Sequence, residues 1–162
     1  HYGDLTGKDK RETASQFGLE QVAVWRRSYA TAPPSMPPGD PRSVDRDPRY
    51  RDVPREFLPA TECLKDVVAR VGPYVRDALA EDLRAESVRG GAVLVVAHGN
   101  SLRALRMILQ HISEEDIVDL EIPTGIPYRV RLDEDLDVIE ARYLGDEAAA
   151  QAAAAAVARQ AG

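Results

Sequence analysis

Five apolar residues in a row, Val93-Leu94-Val95-Val96-Ala97, stand between Gly90-Gly91-Ala92 and His98-Gly99-Asn100. The run has the length of a strand, and glycine bounds it on both sides. Its apolar residues are continuous rather than alternating, so the expectation is a strand buried on both faces, which is the pattern of a parallel sheet. Ser101 to Ile112 follows with Leu102, Leu105, Ile108, Leu109 and Ile112 on one side of a helix. Strand, tight turn and helix in that order predict an α/β fold.

The remaining segments are read against that unit. Gly3 and Gly7 bracket a tight polar loop, and Lys8 to Phe17 predicts a helix stopped by Gly18. Leu19 to Arg27 predicts a second helix. Residues 32–59 hold Pro33, Pro34, Pro37, Pro38, Pro41, Pro48, Pro54 and Pro59, a density that excludes helix and central strand. Such a segment is either a functional loop or a linker between domains. From Thr61, the residues Leu64, Val67, Val68, Val71, Val75, Ala78, Leu79 and Leu83 define one helical face, with Pro73 expected to kink it. Ser113-Glu-Glu-Asp116 is a helix start. Tyr128, Val130 and Leu132 alternate with polar residues, as do Ile139, Ala141 and Tyr143, so a hairpin with those six side chains on its apolar face is expected. The alanine-rich residues 147–162 read as a helical or frayed tail behind a single domain over 1–146.

The formal net charge is −6, which argues against nucleic acid as a partner. Lys8, Lys10, Arg11, Arg26 and Arg27 nevertheless gather cations in the first part of the chain, a distribution suited to a small anion. Charges interrupt every apolar stretch well short of the roughly twenty residues that a membrane helix needs, and no secretory signal is present. One cysteine, Cys63, allows no internal disulfide, and no metal-binding cluster of Cys and His is visible. These features point to a soluble protein of a reducing compartment. The first residue is His1 rather than Met, which is expected of a processed or truncated chain.

His98-Gly99-Asn100-Ser101 falls where the strand should end and the helix begin. Unpaired N–H groups at a helix start favour an anion, Gly99 admits close approach, Asn100 can donate two hydrogen bonds, and His98 can change charge near neutral pH. A phosphate fits this set. The same residues could simply cap the helix, with Ser101 or Asn100 closing it. Arg26 and Arg27 could fork around a planar anion or complement the negative end of a helix dipole. Lys10 and Tyr2 carry no signal on their own. A serine-hydrolase elbow at Ser101 is rejected, because Arg103 occupies the position that needs glycine.

HYGDLTGKDKRET, QVAVWRRSY, DPRY, LPATECLKDVVARVGPY, VLVVAHGNSLRAL, ISEEDIVDLEIPTGIP and LDEDLDVIEARYLGD succeed one another as in the 2,3-bisphosphoglycerate-dependent phosphoglycerate mutases, which this chain resembles from His1 to about Asp146. The resemblance implies a three-layer α/β sandwich with a mostly parallel sheet. It implies interconversion of 2-phosphoglycerate and 3-phosphoglycerate through a phosphohistidine, primed by 2,3-bisphosphoglycerate and without metal. It gives His98 the catalytic role of stabilising charge on the transferring phosphoryl group. It makes His1, Tyr2, Lys10, Arg26, Arg27, Gly99 and Asn100 substrate-binding. The implied partners are small phosphorylated three-carbon acids, not nucleic acid or membrane, in a cytoplasmic homo-oligomer. A phosphatase relative, or a fragment that binds phosphate without turnover, are the alternatives.

The chain departs from that family in one respect. The phosphorylated histidine of the family stands in Arg-His-Gly, and the His-Gly pair here, His98-Gly99, follows Ala97. The resemblance therefore implies that the chain begins just past that histidine and past the acid/base glutamate, and that the sheet lacks its central N-terminal strand.

Overall fold

The computed structural model describes residues 1–159. They divide into two compact units, His1–Asp66 and the described residues from Val67 onward.

In the first unit, Asp9 caps helix α1 (Lys10–Phe17) by accepting the N–H groups of Arg11 and Glu12 at 2.8 and 3.1 Å. Gly18 ends α1 and starts helix α2 (Leu19–Arg27), as expected from the sequence. Phe17 and Trp25 meet edge-to-face, with ring centroids 5.2 Å apart, and Thr13 and Val22 are buried. The proline-dense segment forms only short 3-10 turns at Val44–Arg46, Pro48–Tyr50 and Arg55–Phe57. It is not a plain spacer. Asp4 N–H donates to Pro34 O at 2.8 Å, Met36 N–H to Ala60 O at 2.9 Å, and Thr61 Oγ1 to Pro33 O at 2.7 Å. Those bonds satisfy backbone groups that proline-rich chain cannot pair in a helix or sheet. Arg42 closes the same bracket, donating to Asp4 Oδ1, Asp4 O, Thr6 O and both oxygens of Asp40. Its hydrogen bonds to Asp40 hold that carboxyl near pKa 2. Cys63 is buried, and its Sγ donates to Asp66 Oδ2 at 3.1 Å. Burial first, and the carboxylate second, push the thiol above its ordinary value.

Helix α3 (Leu64–Tyr74) crosses the division between the units. Pro73 lies inside it, and the chain continues as a π-helical turn, Val75–Leu79, before helix α4 (Ala80–Val88). The expected irregularity is thus present, expressed as a wider turn that begins two residues beyond the proline.

The Val93–Ala97 strand expected to be buried on both faces does not form. The segment has no regular secondary structure and belongs to no sheet, and Leu94 and Val96 are 83% and 84% exposed, while Val93 and Val95 are half-buried. A strand exists only by pairing, and among the described residues none lies alongside this one. The sheet that is present has two strands, β1 (Tyr128–Leu132) and β2 (Val138–Tyr143), paired antiparallel. The described fold is therefore mixed helix and strand with a small antiparallel sheet, not a visible parallel sandwich.

The hairpin is in the expected place with one correction. Leu132 pairs with Val138 while Arg131 pairs with Glu140, so a bulge at Ile139 turns that side chain outward and puts Val138 inward. Glu140 accepts from Arg142, Arg129 and Arg131 at 2.8, 2.9 and 3.2 Å, and these arginines lower its pKa to about 2. A depressed carboxylate contributes stability above the ordinary glutamate range and loses it as pH falls through the folded value. Acidification from pH 5 to 2 should therefore loosen the hairpin, and Glu140→Gln should flatten that dependence. A carboxyl-carbon NMR titration with Glu140 at an ordinary glutamate midpoint would contradict this.

Helix α5 (Gly99–Gln110) packs on the hairpin. Arg106 lies 3.9 Å over the Tyr128 ring and donates to Tyr128 Oη at 3.1 Å, and Tyr143 meets Tyr128 edge-to-face at 4.8 Å. The Ser113–Asp116 start yields a 3-10 helix, Asp116–Asp119, in which Ile117 is fully buried. Helix α6 (Glu147–Arg159) occupies the alanine-rich tail. The part of that tail from 160 to 162 lies outside the described residues.

Candidate functional site

The start of α5 has a different cap from the one expected. The helix begins at Gly99, two residues earlier than the apolar pattern suggests, because His98 itself is the N-cap. Its Nδ1 accepts the Asn100 N–H at 3.3 Å. An Nδ1 that accepts leaves the ring proton of a neutral imidazole on Nε2. A residue that caps with a ring nitrogen is not among the usual Ser, Thr, Asp and Asn signals, which is why the boundary was misplaced. At the other end His111, at φ 52°, closes α5 by donating its N–H to Met107 O.

A Cβ built on Gly99 would meet nothing within 4 Å. The chain's own packing therefore does not require glycine there. What the missing side chain leaves open is the approach to the first turn of a twelve-residue helix, where N–H groups and the helix dipole favour negative charge. Beside it lies a cavity of about 210 Å³, lined by Arg70, Tyr74, Val95, Ala97, Ser101 and Leu105 among others.

The other anticipated residues belong to the first unit. Arg26 and Arg27 occupy the last turn of α2 and are half-buried. Arg26 Nη1 is wholly enclosed with no hydrogen-bond partner among the described residues. An enclosed guanidinium N–H without an acceptor is costly, and dipole complementation at a helix end does not call for it. Lys10 is exposed at the first position of α1, and Tyr2 precedes the 3-10 turn Gly3–Leu5. His1 Nδ1 accepts the Gly3 N–H at 2.9 Å, its carbonyl accepts the Glu62 N–H at 3.1 Å, and its Nε2 is enclosed without a partner among the described residues. Within this unit His1 and Tyr2 share one loop and Arg26 and Arg27 one helix end.

Sequence reasoning missed three residues. Arg42, through its side chain, and Glu62, through its main-chain N–H to His1 O, hold the His1–Thr6 loop. Arg103 is buried on α5, 6% exposed, and donates from Nη2 to Ile117 O at 2.6 Å. Its spacing, three residues beyond Asn100 on one helical face, was the available signal. Among the described residues no group of His, Cys, Asp and Glu is gathered as a metal site requires, and no helix is long and apolar enough to cross a membrane.

Residues 40–144 match the histidine phosphatase superfamily, branch 1. The chain belongs to that superfamily, which includes both phosphatases and mutases. The match takes in His98, Gly99, Asn100, the cavity and the hairpin; His1, Tyr2, Lys10, Arg26 and Arg27 precede it.

Proposed function

We propose that this chain serves a cytoplasmic 2,3-bisphosphoglycerate-dependent phosphoglycerate mutase, interconverting 2- and 3-phosphoglycerate through a phosphohistidine without a metal. The observation that carries the reading is the open start of α5, where His98 caps the helix and Gly99 leaves its N–H groups approachable. Phosphoryl transfer asks a protein mainly for positioning and charge neutralisation. Helix N–H groups, the Asn100 amide and the His98 ring supply donors for a phosphoryl group. Arg26, Arg27, Lys10, Tyr2 and His1 are the proposed contacts for phosphate and carboxylate, and the enclosed Arg26 Nη1 supports that role. The intact protein is proposed to be a homo-oligomer.

Assay of the full-length protein with 3-phosphoglycerate and 2,3-bisphosphoglycerate tests the reaction. Isomerisation should outrun release of free phosphate, and the reverse order would make the protein a phosphatase instead. Residues 1–162 alone should bind phosphoglycerates without turnover, since their His-Gly pair follows Ala97 rather than arginine. In calorimetry, Arg26→Ala should weaken that binding by roughly tenfold to a hundredfold, the worth of a charge-assisted hydrogen bond, with little change in melting temperature. Unchanged affinity would remove Arg26 from the site.

A further inference from the structure

Asn100 can serve an anion only if its amide presents nitrogen rather than oxygen. Two observations bear on that orientation. Arg103 Nη1 donates to Asn100 Oδ1 at 3.3 Å, and Arg103 Nη2 donates to Ile117 O at 2.6 Å. A guanidinium has donors only and keeps its charge at any accessible pH. The amide atom facing it must therefore be the oxygen, and the NH₂ group must face away. Arg103 is itself fixed, buried to 6% exposure and anchored on the carbonyl of the fully buried Ile117.

We propose that Arg103 is a positioning residue, which locks the Asn100 amide with oxygen inward and NH₂ presented as a donor at the start of α5. This rests on the reading of that helix start as a phosphate site. The geometry also converts a neutral side chain into a committed donor. An asparagine free to flip would present its oxygen, which repels an anion, for part of the time, whereas this one cannot without turning two N–H groups onto a guanidinium. The chain thereby turns the field of a buried cation toward the ligand through an amide, without exposing the cation.

The opposite dependence is also physically possible: Asn100 could exist to satisfy Arg103. Two experiments on the full chain separate them, with 2,3-bisphosphoglycerate as the probe. The first is Asn100→Asp. Its carboxylate still accepts from Arg103, now as an ion pair, but it has no N–H to offer. The expected result is a melting temperature equal to or above that of the parent, with affinity lowered at least about tenfold. A lowered melting temperature would mean that the amide nitrogen, not its oxygen, faces inward, and would overturn the proposal.

The second is a double-mutant cycle of Asn100→Ala and Arg103→Met, read by calorimetry. Acting through Asn100, Arg103→Met should cost about tenfold in affinity with Asn100 present and less than about twofold on the Asn100→Ala background. Equal cost on both backgrounds would show a general structural role and overturn the proposal. If Arg103→Met does not fold, Arg103→Lys replaces it, because one ammonium lacks the fork that reaches both acceptors. The same pattern of loss and cancellation is then required. Failure of the underlying reading looks different: the parent chain does not bind the probe, or Asn100→Ala binds as the parent does. Either result removes the phosphate site and the proposal with it.

Discussion

Replacing Gly3 with alanine should destabilise the first unit by roughly 4 kcal/mol or more, the sum of a left-handed backbone strain and an unrelieved clash. Gly3 sits at φ 56°, and an added Cβ would fall 2.1 Å from Pro34 O and 2.8 Å from Thr61 Oγ1. Neither neighbour can retreat freely. Pro34 O accepts the Asp4 N–H, and Thr61 Oγ1 is tied to Pro33 O. Relief would have to break the bracket between the first loop and the proline-dense segment, and with it the seat of His1 and Tyr2. Urea denaturation followed by far-ultraviolet circular dichroism measures the effect. A midpoint equal to that of the parent would show that the bracket is not a fixed structure.

Gly99→Val should do the reverse, sparing the fold and damaging binding. A Cβ at Gly99 meets nothing within 4 Å, and valine is no worse than glycine for a helix. Stability should stay within about 0.5 kcal/mol of the parent, as for ordinary surface changes. Affinity for 2,3-bisphosphoglycerate should fall on the order of a hundredfold, because the branched side chain stands in the approach to the helix N–H groups and removes several charge-assisted hydrogen bonds at once. Calorimetry on the two chains gives the ratio. Unchanged affinity would place the phosphate elsewhere and take the start of α5 out of the proposed site.

The helical parts of this fold were legible because local signals set them. Gly18 separates α1 from α2 at the expected place, and Pro73 disturbs its helix within a turn. The hairpin was legible in position but not throughout its register, since a bulge at Ile139 leaves the alternating pattern of residue types intact while inverting its first inward side chain. The run Val93–Ala97 misled for a different reason. Composition specifies what a segment would bury, not whether a neighbour exists to bury it, and here Leu94 and Val96 remain exposed. At the site, the residue types at 98, 99 and 100 pointed to anion chemistry. Their geometry depended on an imidazole cap and on Arg103, whose partner Ile117 lies fourteen residues away. No local window contains that contact.

Cys63 gives the first unit a built-in clock. It is the single cysteine of the chain, it is buried, and its thiol is raised by that burial and by Asp66. With 9% of the residue exposed, a thiol reagent reaches it mainly when the surrounding structure opens, since reaction needs both access and the thiolate. Under slow-opening conditions the labelling rate therefore reports mainly on opening around one atom. Because Cys63 lies two residues beyond Thr61, the labelling rate follows the part of the chain that braces Gly3, and it does so at protein concentrations and temperatures where no melting is visible.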